Sequence, residues 1–505
     1  MRLKLERGWQ GAMRWVILQL MPADIIAQEY HPSLGRPTKE LYSMCGLMLI
    51  MEMKDWTQDE AAGRYAMDMA VHYALNLGTG CAELSVRSIQ RYKKYFVDDE
   101  LAAGVMADVT AALVEILGIK VGRQRLDSTH VLSNMARFGR TRLMGTAIKR
   151  FLAQVHRHNR EQYDALPEEL RRRYAKSDGH LFGDVAKDTK SHRLLREHVG
   201  NAVIQNTSDP DATREGPKGP GHKAQIAETS HPDNETQVIT TVIPQTGADD
   251  DCNAMPLVLK ELEKQGLTPE VLLADTHYGS DADEQRCAEK GVRLVAPAHT
   301  PPHVRDIHAA NLADFEIDEE TNTVIRCPQG HEPISSEHNS DTGKTKTVMP
   351  AAACDTCALR GECPVKHTKK GTYHLFHTPA ERRLQIRRRQ QDTGEFRSEY
   401  AMRAGIESTN SGLKRRLGFG RLRVRGSPAV AHAVRLKACG WNIFRAAGTQ
   451  PMRKHIARII AERVLAPLFG PILPHLRAIR LVLRPHERLR RFVNVFTVPC
   501  RLRAA

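Results

Sequence analysis

Between residues 119 and 298 short apolar runs alternate with amphipathic stretches, and that order leaves few folds open. IKVGRQRLDSTHV reads as a strand ending in a polar turn. AQIAETS and QVITTVIPQ read as two more, joined by a His-Pro-Asp-Asn turn. DDDCNAMPLVLKELEKQG then reads as a capped amphipathic helix ended by Gly266. EVLLADTHYGS follows as a buried strand closing on an acid, DADEQRCAEKG as a helix and VRLVAPA as a strand. Strands joined by tight turns pair antiparallel, whereas strands separated by a helix pair parallel. The expectation is an α/β chain with a mixed sheet flanked by helices.

The rest of the chain is read around that core. At 505 residues it has room for three or four domains, and 41% hydrophobic residues suffice to build cores. Residues 38–97 read as several helices: TKELYSMCGLMLIMEM, then WTQDEAAGRYAMDMAVHYAL, then SVRSIQRYKKYF with Ser85 as N-cap. The third carries Arg87, Arg91, Lys93 and Lys94, which suits a helix-turn-helix DNA reader; a helical bundle with a solvated basic face is the alternative. Residues 137–200 read as basic and helical, and DPDATREGPKGPGHKAQ as a loop. The formal charge of +15 favours a polyanionic partner, of which nucleic acid is the commonest. The first residues hold too short an apolar run for a targeting segment, and VLAPLFGPILP is short and broken by prolines, so a cytoplasmic location is expected. There the ten cysteines read as thiols or metal ligands rather than disulfides.

Three acids carry the chemistry. Asp127 ends the first strand, Asp275 ends a later one, and Glu407 lies on an arginine-rich helix. Carboxylates that meet in a cleft repel one another unless a cation neutralises them, and hard oxygen ligands suit Mg²⁺ or Mn²⁺. Singly, each Asp also reads as a turn or cap residue. Tyr400, Arg403, Glu407 and Lys414 follow the spacing Tyr-x2-Arg-x3-Glu-x6-Lys, which on one helix places them within an arc of about 60°. A carboxylate between two cations and a phenol suits a metal beside a phosphate; a surface helix with charge pairs is the bland alternative.

That spacing resembles the signature of a large group of bacterial insertion-sequence transposases with a DDE catalytic core. RLDSTHV looks like the segment carrying that family's first Asp, and VLLADTHYGS like the one carrying its second, with a Tyr three residues on. GFGRLRVRGSPAVAHAVRLKACGWNIFR resembles the usual sequel to the Glu helix, and GRPTKELYSMCGLML the opening of the preceding domain. The likeness covers roughly residues 35–447. Thr276 and His277 depart from it, standing where relatives often carry Lys-Gly.

The resemblance implies an RNase H-like core and, together with composition and spacing, divides the chain into five parts. Residues 1–115 are a helical, DNA-binding domain, and 116–310 the first part of the core, with 137–222 as a basic helical and loop insertion. Residues 311–375 are a Cys-rich insertion, 376–450 complete the core, and 451–505 form a basic helical tail. It also implies that Asp127, Asp275 and Glu407 hold two Mg²⁺ or Mn²⁺ ions for DNA cleavage and strand transfer. The expected partners are double-stranded DNA, as inverted-repeat ends and as target, and a second copy in a dimer on DNA. Tyr400, Arg403 and Lys414 would grip the backbone, with Arg415, Arg416, Arg421, Arg423 and Arg425 beyond them and Arg382, Arg383, Arg387, Arg388 and Arg389 before. Cys327, Cys354, Cys357 and Cys363 in RCPQGH and CDTCALRGEC suit a structural Zn²⁺, with His331 and His367 as substitutes and free thiols as the alternative. Three rival readings are a nuclease without strand transfer, a catalytically silent DNA-binding derivative, and a zinc-dependent regulator.

Overall fold

The computed structural model describes residues 2–31, 40–78, 83–98, 100–135, 140–175, 206–300 and 310–465. They fall into two compact units that are both discontinuous in sequence. One holds Met1–Ile119, Asn234–Ile239 and Leu413–Ala505, the other Lys120–Asp233 and Thr240–Gly412. The linear division at residues 115 and 376 therefore differs from the spatial one, which takes Leu413 onward into the helical unit. Residues 35–39, 176–205 and 466–505 lie outside the described residues, and with them parts of the expected basic insertion and tail.

The helical unit is built around Leu41–Lys54, which is buried without a break from Ser43 through Met53. A helix apolar on every side must be enclosed, and Trp9–Trp15, Val86–Asp98, Leu101–Leu117 and Ser427–Ala447 contribute to its shared core. Gly440 lets the last of these come close, since a Cβ there would lie 2.6 Å from Met53 Cγ. Inside the core, Glu52 pairs with Lys93 at 3.1 Å and with Lys437 at 3.4 Å. Lys437 also reaches Asp55 at 2.8 Å and the Leu417 carbonyl at 2.7 Å. Burial raises the Glu52 carboxyl, but the two lysines outweigh it and hold it at about 2.

The basic helix Val86–Asp98 is capped by Ser85, whose Oγ accepts the Ser88 N–H at 3.2 Å. Lys93 turns inward to Glu52, so of its four expected DNA-facing cations only Arg87, Arg91 and Lys94 are exposed. The single helix expected over WTQDEAAGRYAMDMAVHYAL is two, Gln58–Met67 and Met69–Ala74, because Asp68 caps the second through the Ala70 N–H. Among the described residues no helix is long and apolar enough to cross a membrane.

The other unit holds a curled mixed sheet of β1 Arg123–Val131, β2 Thr213–Glu215, β3 Gly219–Thr229, β4 Ile239–Thr246, β5 Val271–Leu273 and β6 Arg293–Val295. The strand order is β2-β3-β1-β5-β6, with β4 also on β3. β1 runs antiparallel to β3, and β5 and β6 run parallel to it in turn. Two local expectations fail together. Asp127 lies in the middle of β1 rather than at its end, because the strand continues to Val131 against His222–Gln225. The stretch facing it, read as loop for its Gly and Pro, is instead the β2–β3 hairpin, Thr213 pairing with Gly221 and Glu215 with Gly219. Gly219 takes a φ of +93° at the turn. Gly221 is needed for space: a Cβ there would lie 2.7 Å from the Val131 carbonyl oxygen. The capped helix expected over DDDCNAMPLVLKELEKQG also differs. Met255–Lys264 has no side-chain cap and follows a 3₁₀ turn at Asp251–Ala254.

The Cys-rich segment forms its own small sheets. β7 Glu316–Ile317 pairs with β8 Val324–Arg326. β9 Ser335–Asn339, β10 Lys344–Met349, β11 Lys366–His367 and β12 Tyr373–His377 follow the order β11-β12-β10-β9. Leu312, Phe315, Ile317, Val324 and Leu375 make a core against which Cys327 and Cys363 pack.

Candidate active site

Alternation along β1 puts Arg125 and Asp127 on one face of the sheet. Arg125 donates through Nε to Glu228 at 2.8 Å and through Nη1 to the Met402 carbonyl at 3.1 Å. Glu228 is fully buried and also accepts from Thr409 Oγ1 at 2.7 Å. Capture of the Met402 carbonyl coincides with a break in the chain that sequence spacing treats as one helix. The segment is Gly394–Ala401, a 3₁₀ turn at Met402–Ala404, and Gly405–Leu417. A Cβ at Gly405 would fall 1.9 Å from Arg125 Nη1, so any larger residue there displaces that guanidinium. Tyr400 and Lys414 thus do not share one helix.

The break sets Arg403 among the three acids. Its Nη2 lies 3.0 Å from Asp127 Oδ1 and 3.7 Å from Asp275 Oδ2, and its Nη1 lies 3.6 Å from Glu407 Oε1. Asn410 donates from Nδ2 to the other oxygen of Asp127 at 2.9 Å. Burial pushes the Asp127 carboxyl up; Arg403 opposes this and the Asp275 charge adds to it. Burial likewise raises the Tyr400 phenol, with Arg403 opposing and all three acids adding. Tyr400 therefore lies in the field of the same cluster. Asp275 caps the turn Thr276–Tyr278 by accepting the His277 N–H at 2.9 Å, so the Thr-His departure leaves this carboxylate held by backbone. Glu407 is 70% exposed, the freest of the three.

On the opposite face, Ser128 donates to Asp251 Oδ2 at 3.0 Å, and Gln225 to Asp251 Oδ1 at 2.9 Å. The buried Tyr278 hydroxyl donates to Gln225. This chain ties the residue after Asp127 to the one three beyond Asp275. Sequence reasoning missed Arg125, Ser128, Gln225, Glu228, Asp251 and Asn410 as parts of the site. Asn410 had a signal in its spacing, one helical turn past Glu407. Gln225 and Glu228 had a weaker one, as polar residues inside an apolar strand.

Three carboxylates facing one guanidinium leave a surplus of two negative charges, which a hard divalent cation would neutralise. The buried Asn410 Oδ1 has no protein partner and adds a free oxygen beside Asp127. The donor chemistry fits such an ion. With Arg403 between them the acids do not converge: among the described residues no three His, Cys, Asp or Glu side chains stand at metal-holding spacing. This holds for the cysteines also. Burial pushes the Cys354 thiol up to about 11, with Cys363, Cys327 and Cys357 adding to the shift. Cys327 sits on a tight turn closed by the Gly330 N–H at 2.8 Å.

The arginines before the Glu407 helix each have a partner within the protein. Arg383 makes two 2.8 Å bonds to Asp281, and Arg387 is buried against Glu284 and the Ala296 carbonyl. Arg388 donates to the His299 carbonyl, Arg389 pairs with Asp314, and Arg382 with Glu319. These forks brace the helix Pro379–Gln390 within its own unit. Lys414, Arg415, Arg416, Arg421, Arg423 and Arg425 are exposed, Arg423 pairing with Asp55 at 3.2 Å.

No curated protein matches the chain. Among solved structures it is similar to a cryo-EM structure of the piggyBac transposase synaptic complex with hairpin DNA, at 9% identity and a TM-score of 0.30, over 94% of this chain and 84% of that one. Residues 326–447, which hold Glu407 and all four clustered cysteines and begin beyond Asp127 and Asp275, match the family model described as a transposase DDE domain.

Proposed function

We propose that the chain is a DDE transposase that cleaves double-stranded DNA at the ends of an insertion sequence and joins those ends to target DNA. The observation that carries this reading is the gathering of Asp127, Asp275 and Glu407, from a strand, a strand-end cap and a helix, around Arg403. The family match over residues 326–447 supports it independently. A strand order of three antiparallel members followed by two parallel ones supports an RNase H-like core.

Asp127, Asp275 and Glu407 would hold two Mg²⁺ or Mn²⁺ ions, which supply Lewis acidity to the attacking and leaving oxygens. Asp127 is fixed by Asn410, and Asp275 by its own cap. Arg403 Nη1 stands 3.6 Å from Glu407, too far for a hydrogen bond, so its fork retains a donor for a phosphate oxygen. Tyr400 grips the DNA backbone beside it, and in the helical unit Lys414, Arg415, Arg416, Arg421, Arg423 and Arg425 also contact DNA. Water breaks the phosphodiester at the element end and frees a 3′-hydroxyl. That hydroxyl attacks a target phosphodiester in line, forming one P–O bond as another breaks. Two ends must be held at once, which calls for a dimer on DNA.

The test is product analysis with Mg²⁺, using DNA that carries the element's inverted repeats and a supercoiled target plasmid. Joined end–target products are expected. Cut ends that never join would make the chain a nuclease, and binding without cutting a silent derivative.

We assign the four cysteines to a structural Zn²⁺, supported by the Cys354-x2-Cys357 spacing and by the tight turn under Cys327. Purified protein is expected to carry one zinc per chain and to lose it in Cys357→Ser. A chain free of zinc with all four thiols titratable would return them to ordinary reduced cysteines.

A further inference from the structure

We propose that Asn410 is a positioning residue for this site: it holds the Asp127 carboxylate in ligating orientation when a divalent ion is bound. The inference rests on the carboxylate reading above and adds a residue outside the Tyr-Arg-Glu-Lys spacing.

Asn410 lies three residues after Glu407 on the helix Gly405–Leu417, hence on nearly the same face one turn along. It is 8% exposed, and its Nδ2 donates to Asp127 Oδ2 at 2.9 Å. The amide orientation follows from chemistry, because its oxygen turned toward a carboxylate would set acceptor against acceptor. Its neighbour Thr409 is bonded to the buried Glu228, which pins this turn of helix against the sheet. Asn410 Oδ1 is buried and meets no protein donor, so no competing contact draws the amide away from Asp127.

Among the described residues Asp127 has two side-chain donors, and they differ in charge. Arg403 holds Oδ1 at 3.0 Å but also stands 3.7 Å from Asp275 and 3.6 Å from Glu407, in the middle of the carboxylate set. A divalent cation drawn to the same three acids repels a guanidinium at that place. The neutral amide carries no such penalty. It is therefore the donor that stays on Asp127 through metal loading, while Arg403 is free to turn to phosphate.

The test is Mn²⁺ titration of the DNA-free full chain, followed by electron paramagnetic resonance, for wild type, Asp127→Asn, Asn410→Ala and Asn410→Leu. Leucine fills the volume should alanine loosen the fold. Both Asn410 variants are expected to bind Mn²⁺ about 10–100-fold more weakly with unchanged melting, in line with the loss of residues that orient metal ligands. In cleavage, the half-saturating Mn²⁺ concentration rises by the same factor, while the rate at saturating metal stays within a few-fold. Wild-type affinity in both Asn410 variants, with weakened binding in Asp127→Asn, overturns the role of Asn410 alone. Wild-type affinity in Asp127→Asn overturns the carboxylate reading and this inference with it.

Discussion

Asp127→Asn lowers DNA cleavage by about a thousandfold or more, a barrier increase of roughly 4 kcal/mol, without lowering the melting temperature. Asp127 is the most buried of the three acids and is gripped on both oxygens, by Arg403 and by Asn410. Asparagine keeps the shape and removes the charge that a metal ligand must carry. The stability half follows from the sign of the titration shift. Burial raises the folded-state pKa, so ionised Asp127 costs the fold stability at neutral pH, a cost absent only once pH falls below the unfolded value. A neutral side chain removes that cost, which offsets the one hydrogen bond that the amide NH2 forfeits beside Arg403 or Asn410. Kinetic assay beside thermal melting checks both halves: a variant that is inactive because it is unfolded contradicts the second, and a folded, active one the first.

Lys437→Met destabilises the helical unit by about 3–5 kcal/mol, the usual penalty for removing one partner of a buried ion pair. Lys437 is almost wholly enclosed and binds Glu52, Asp55 and the Leu417 carbonyl. Its loss leaves Glu52 with Lys93 as its remaining salt-bridging lysine. Pairing the change with Glu52→Gln should restore part of the stability, since the buried carboxylate goes too, while Lys93 loses its partner. All four tryptophans, at 9, 15, 56 and 441, belong to this unit, so urea unfolding followed by their fluorescence reads it directly. A single variant that unfolds at wild-type urea concentrations would make the network incidental.

The strand and helix order around Asp127 and Asp275 is readable from the chain because burial imposes a two-residue or helical period that the side chains display. The end of β1 is not readable. Ser128–Val131 continue as strand because His222–Gln225 pair with them, and those residues look like loop beside their glycines and prolines. One misjudged segment produced the other. The break before Glu407 is equally hidden, since it coincides with Arg125, some 280 residues earlier, taking the Met402 carbonyl. Spacing still marks Arg403 and Glu407 as neighbours, because the i,i+4 contact survives the 3₁₀ turn at 3.6 Å.

Charge runs are the least legible of all. The arginines at 382–389 look like those at 415–425 in sequence, yet Asp281, Glu284 and Asp314 take up the first group through folds of the chain that no spacing reveals. Lys93 is the same lesson in the helical unit, a cation in a basic helix that serves a buried glutamate.

The most direct measurement is cleavage of labelled inverted-repeat DNA with Mg²⁺ by wild type and Glu407→Gln, with DNA binding measured on the same preparations. Glu407 is 70% exposed and its ion pair with Arg403 is long, at 3.6 Å, so glutamine should leave the fold and the binding intact. Cleavage and joining that vanish in the variant while binding persists are the expected result. Equal cleavage by both proteins would remove Glu407 from the chemistry and contradict the reading of the three acids as one metal-binding set.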